Sequence, residues 1–210
     1  MRYFGVCAVA VATAIVGISS VAVQAEEKIS GPYLGISGLG SSVSDVDFDN
    51  NRGANSVVNT ADFDIGYGAL LKGGYNYGSI RAEIELGYRK IDIGGVADKT
   101  AVSGDVDALT AMINGAWDID TGTAVTPYLS LGAGIINVDG SVKYTGTNAE
   151  SKSFDGTAPA GQVGVGIGYG LTSEIDLVGG YSFLAAPTGK TGQDEIIKIH
   201  SVQLGLNYNF

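Results

Sequence analysis

Apolar and polar residues alternate with a period of two in eight separate stretches of this chain. Such alternation marks a strand with one oily face and one polar face, because successive side chains leave an extended backbone on opposite sides. The last stretch, "HSVQLGLNYNF", shows it most cleanly. Val202, Leu204, Leu206, Tyr208 and Phe210 share one face, and Ser201, Gln203, Gly205, Asn207 and Asn209 share the other. In "FDIGYGALLKGGY" the apolar face is Ile65, Tyr67, Ala69, Leu71 and Tyr75, and in "IRAEIELGYRK" it is Ile80, Ala82, Ile84, Leu86 and Tyr88. "ALTAMINGAW" sets Leu109, Ala111, Ile113 and Trp117 against Thr110, Met112, Asn114 and Ala116. "PYLSLGAGI", "QVGVGIGYGL" and "EIDLVGGYSF" repeat the pattern with glycine or a small polar residue at most of the alternate positions. The first stretch, "PYLGISGLG", is apolar and glycine-rich on both faces, and its facing is not assignable from the alternation.

The pattern therefore predicts an all-β protein of eight strands, each about nine to eleven residues long, the length a tilted strand needs to cross a bilayer. The connections alternate too. Those after the second, fourth and sixth strands are short, and those after the first, third, fifth and seventh are longer and polar. An even strand number with tight turns at one end and long loops at the other predicts an eight-stranded antiparallel up-and-down transmembrane β-barrel, with its oily face toward lipid. The alternative is a soluble eight-stranded barrel that encloses a ligand. That arrangement would leave the fifth and sixth strands presenting nearly bare glycine to water, which gives a soluble surface no charge. Turned the other way, the same glycines leave room inside a narrow barrel for long charged side chains. Tyr75, Tyr88, Trp117, Tyr169, Tyr208 and Phe210 fall near stripe ends, where an interfacial girdle would place them.

The start of the chain adds export. "MRYFGVCAVAVATAIVGISSVAVQA" has one charge, Arg2, then an apolar stretch, then small residues at Val23 and Ala25. This is the plan of a secretory signal peptide over residues 1–25, cleaved between Ala25 and Glu26, which leaves 26–210 as a single outer-membrane barrel domain. An uncleaved anchor is the alternative, disfavoured by Gly17, Ser19 and Ser20 within the run. Mass-spectrometric sequencing of membrane-extracted protein is expected to begin at Glu26; an intact Met1 would mean an anchored chain. Cys7 is the only cysteine, so the exported part holds together without disulfides or thiolate metal sites. It would carry 11 basic against 22 acidic residues, a balance that argues against a nucleic-acid partner. No apolar run after residue 25 is long enough for a transmembrane helix.

Candidate chemistry is sparse. Lys72, Arg81, Glu83, Glu85 and Arg89 share the polar face of the second and third strands, with Asp176 a possible partner across the barrel. Charges inside a narrow lumen must be paired, so the set reads as a plug of ion pairs; a gate or selectivity ring is the alternative. His200, the only histidine, takes the outward parity near the edge of the bilayer and has no triad-like partner in the sequence. An outer-membrane enzyme is thus the least favoured function, and no residue pattern calls for a cofactor. Asp45, Asp47 and Asp49 in "DVDFDNN" resemble half of a calcium loop. Asn50 and Ser56 stand where its glycine and glutamate belong, so a solvated acidic loop is the reading. "GVGIGYG" has the spacing of a strand and not of a dinucleotide fingerprint.

Four stretches, "GPYLGISGLGSS", "VTPYLSLGAGI", "GQVGVGIGYGLTSEIDLVGGYSF" and "HSVQLGLNYNF", make the chain from about Gly31 to Phe210 resemble the bacterial surface antigen, or opacity-like porin, family. These are small outer-membrane barrels of Gram-negative bacteria. The resemblance implies a barrel exposed at the cell surface, with roles in envelope integrity, host contact or limited diffusion, and no catalysis. It also implies that the last strand, with Val202, Leu204, Leu206, Tyr208 and Phe210, is presented to the barrel assembly machinery. The expected function is thus a structural surface protein whose long loops meet host or environmental ligands, with a small passive diffusion channel as the alternative. Its expected partners are outer-membrane lipid, the assembly machinery and a loop ligand.

Overall fold

A computed structural model describes residues 30–43, 66–97, 100–145, 151–187 and 196–210. The expected leader with its Ala25–Glu26 junction, and the acidic loop at Asp45, Asp47 and Asp49, lie outside the described residues. Eight strands follow one another in chain order: β1 (Gly31–Val43), β2 (Gly66–Asn76), β3 (Ile80–Ala97), β4 (Thr100–Asp118), β5 (Val125–Thr145), β6 (Ser151–Gly170), β7 (Ile175–Pro187) and β8 (Ile196–Asn209). Each pairs antiparallel with its neighbours, and β8 returns to β1 through pairs such as Tyr33 with Asn209 and Val43 with Ile199. The barrel is closed, so no strand edge within the belt is left unpaired in lipid.

Three short turns close one end. Gly78 and Gly122 take φ of 97° and 65° there, a conformation that glycine reaches without steric cost. In each turn the residue two places earlier fixes the loop, as Asn76 Oδ1 accepts the Gly78 amide and Asp120 Oδ1 that of Gly122, at 2.9 and 2.8 Å.

Outward side chains form a continuous apolar belt, with Ile36, Ile84, Ile113, Leu131, Ile167 and Leu204 each more than half exposed. The first strand's facing is settled by its partners: Tyr33, Ser37, Leu39 and Ser41 point inward, and Leu34 and Ile36 point outward. One expectation is corrected. β1, β2, β7 and β8 run 13, 11, 13 and 14 residues, but β3 to β6 run 18, 19, 21 and 20. Much of what reads as long loop after the third and fifth strands is thus strand, projecting beyond the belt as a four-stranded sheet. Beyond the lipid belt a strand has no oily face to satisfy, so the sequence there need not alternate while the backbone pairing continues.

Candidate functional site

The lumen is filled in two layers. Nearer the turn end, β3 places Arg81, Glu83 and Glu85 on its inward face and β2 adds Lys72. Arg81 is the hub. Its Nε and Nη2 both reach Asp118 Oδ1 at 3.0 Å, and its Nη1 donates to Glu83 Oε1 at 2.6 Å. The guanidinium also lies 5.7 Å from the Tyr33 ring centre and 5.0 Å from that of Tyr128, within cation–π range of both. The Tyr33 hydroxyl donates to Glu83 in turn. Glu85 takes a contact from Lys72 Nζ at 3.3 Å and from the Asn114 and Gln162 amides, also at 3.3 Å.

Inward glycines make this packing possible. A Cβ on Gly166 or Gly180 would come within 2.6 Å of the Tyr128 hydroxyl, and one on Gly74 within 2.9 Å of the Tyr33 ring. The bare faces seen in the sequence are thus the space occupied by large side chains of neighbouring strands. Among the described residues, one cavity of about 20 Å³ lies beside Glu85 and Gln203, and one of about 30 Å³ at the turn end, between Arg81, Asp118 and Asp176. Each holds a few waters at most.

The layer toward the loop end is apolar. Ala108, Met112, Ile136, Ala160, Leu184, Ala186 and Ile199 pack together inside the barrel, with Val43, Val138, Ala158 and Ile197 against them. Arg89 and Ile91 flank this layer on β3, both fully buried.

Of the six charges expected in the lumen, Lys72, Arg81, Glu83 and Glu85 are brought into ion pairs. Asp176 lines the mouth at the turn end, where it accepts from Asn209 Nδ2 at 3.0 Å and, among the described residues, makes no ion pair across the barrel. Arg89 departs further from the pairing rule. It is 0 % exposed, its Nη1 donates to Thr110 Oγ1 at 3.0 Å, and its Nε has no hydrogen-bond partner. Asp118, Tyr33 and Tyr128 were not singled out by sequence, although Asp118 follows Trp117 with inward parity. Val202, Leu204, Leu206, Tyr208 and Phe210 all face outward, and Tyr208 meets Phe210 edge to face at 5.0 Å. His200 also lies on the outward face, with Nδ1 at 2.5 Å from the Tyr181 hydroxyl.

A family model for the outer membrane protein beta-barrel domain matches residues 11–210. No curated protein matches the chain. Among solved structures, Neisserial surface protein A aligns with a TM-score of 0.54 at 20% identity, over 86% of this chain and 98% of that one. Ail, the attachment invasion locus protein of Yersinia pestis, aligns at 0.52 and 18% identity, over 87% of this chain and 100% of that one. OprG from Pseudomonas aeruginosa aligns at 0.52 and 15% identity, over 86% and 96%. At these identities the likeness speaks for the fold alone.

Proposed function

The chain belongs to the outer membrane protein β-barrel family, and from that premise we propose that it is a closed structural barrel that presents its projecting sheet for contact at the cell surface. It is a small eight-stranded barrel of a Gram-negative outer membrane. The observation that carries the proposal is the double occlusion of the lumen. An ion must pass the Arg81–Glu83–Asp118 cluster, where every step breaks a buried charge pair, and then the packed layer around Met112, Ile136 and Leu184. The two cavities beside the charge cluster hold a few waters each, and a packed apolar layer such as that around Met112 excludes ions by dewetting. The lumen carboxylates Glu83 and Glu85 are committed to structural partners, which favours a non-catalytic role. The surface left for function is the β3–β6 projection and the loops at that end, which fits contact with a host or environmental ligand.

Reconstitution in a planar lipid bilayer tests the proposal. The expected trace shows no discrete steps above those of a protein-free bilayer, because two independent layers block the path. Sustained, voltage-independent steps from the wild-type chain would overturn the closed-barrel reading in favour of a passive channel.

A further inference from the structure

About ten residues from the short turns, the outward face of most strands changes from apolar to polar: Ser42, Lys90, Asp107, Asn137, Thr157 and His200 stand at this height. This is the outer-leaflet edge of the belt, since the short turns of such barrels are periplasmic. The edge is electrically lopsided. On β4, β5 and β6 the register sets Asp107 opposite Asp139 and Asp139 opposite Asp155, an acidic arc. On β8 the outward face carries Lys198 and His200 and no acid, and among the described residues Lys198 has no ion pair.

Directly below His200 the barrel wall is grooved. β1 presents Gly38 and Gly40 outward, and a Cβ on either would meet nothing within 4 Å. Gly38 lies between Ala69 and Leu204, and Gly40 between Tyr67 and Val202. Strands sit roughly 4.8 Å apart, so a strand without side chains opens a gap of about 10 Å between the backbones of its neighbours, room for one hydrocarbon chain. Leu34 and Ile36 close the groove toward the periplasm, and Ser42, paired with His200, marks its outer end. The Tyr181 hydroxyl shares a hydrogen bond with His200 Nδ1, and in the tautomer in which Tyr181 is the donor His200 Nε2 carries a proton that an oxygen anion can accept.

We propose that this groove binds one phosphorylated lipid of the outer leaflet, with an acyl chain over Gly38 and Gly40 and a phosphate held by Lys198 and His200. Charge complementarity selects the site. A second depression, at Gly161 between Ala133 and Ala185, is equally open but lies below Asp139 and Asp155, which repel a phosphate.

Native mass spectrometry of the full chain, folded in detergent and offered bisphosphorylated lipid A, reads the site directly. The wild type retains one lipid molecule. Retention falls about tenfold or more in Lys198→Glu/His200→Glu, since the Lys198 cation is worth about 1 kcal/mol toward an anionic lipid and the two introduced carboxylates add repulsion. Gly40→Leu fills the groove and loses retention to a similar degree, whereas Gly161→Leu behaves as wild type. All three variants change outward-facing positions, and their heat-modifiable migration verifies the barrel. Equal retention by Gly40→Leu and wild type, equal loss in Gly161→Leu, or equal retention of a dephosphorylated lipid A would each overturn the proposal. A lipid-free dimer through this face would overturn it as well. The charge variant carries the test by itself should Gly40→Leu fail to assemble.

Discussion

Replacing Arg81 by alanine should destabilise the assembled barrel more than removal of any other lumen cation. Arg81 is 8 % exposed and holds two carboxylates, Glu83 and Asp118, that are themselves buried. Its loss leaves both acids without their counter-charge in a site from which water is nearly excluded. Breaking a buried pair in this way costs roughly 3–5 kcal/mol, much of it the price of the abandoned charge. Tyr33 and Tyr128 also lose the cation that lies near both rings. Lys72→Ala should cost less, because that side chain is more exposed and serves Glu85 alone, which keeps the Asn114 and Gln162 amides. Arg81→Lys should fall between, since an ammonium cannot reach both acids in the forked geometry. Urea titration followed by heat-modifiable migration measures the order. A loss below about 1 kcal/mol for Arg81→Ala, a value typical of solvent-exposed pairs, would show that water already screens the cluster. Ion flux should stay at the bilayer baseline, because the layer around Met112 and Leu184 does not involve Arg81.

Which residues face lipid was legible wherever one face of a strand was oily and the other was not. Ile80, Ile84 and Leu86 against Arg81, Glu83 and Glu85 separate the two faces of β3, and the bare glycine faces of β5 and β6 send the oily side outward. The reading failed where contrast vanished. In β1 both parities carry glycine and leucine, and only pairing with β2 and β8 sends Leu39 inward and Leu34 outward. The apolar inner layer was hidden as well. Leu184 stands in "SFLAA", where neighbours on both faces are apolar, Ile199 in "IIKIH", where the polar Lys198 and His200 take the outward face, and Met112 between the polar inward residues Thr110 and Asn114. Pairing across the lumen is a separate matter. Period two assigns a face but no distance, so it groups Arg89 with Glu85 although the guanidinium meets Thr110. The long β3–β6 strands escaped because alternation ends where lipid ends, while the backbone pairing continues.

Substituting valine for Gly205 should prevent assembly of the barrel, although valine is the better strand former. Gly205 is an inward residue of β8 opposite Ser37 of β1, at the seam that closes the sheet. A Cβ there would lie 2.1 Å from the Ile36 carbonyl oxygen and from Ser37 Oγ, and 2.6 Å from the Ser37 Cα. Two of these three atoms are backbone, so no rotamer change relieves the contact; β1 itself must move away from β8. That movement breaks ladder hydrogen bonds in lipid, where each amide left unsatisfied costs several kcal/mol and water cannot compensate. The matched control is Gly115→Val on β4, an outward position where a Cβ meets nothing within 4 Å. It adds the same side chain and the same propensity to a strand of the same barrel, on the lipid side. Heat-modifiable protein in outer-membrane fractions is expected to be near wild type for Gly115→Val and nearly absent for Gly205→Val. Comparable assembly of the two would mean that β1 and β8 tolerate separation, and that the closing seam does not hold the barrel shut.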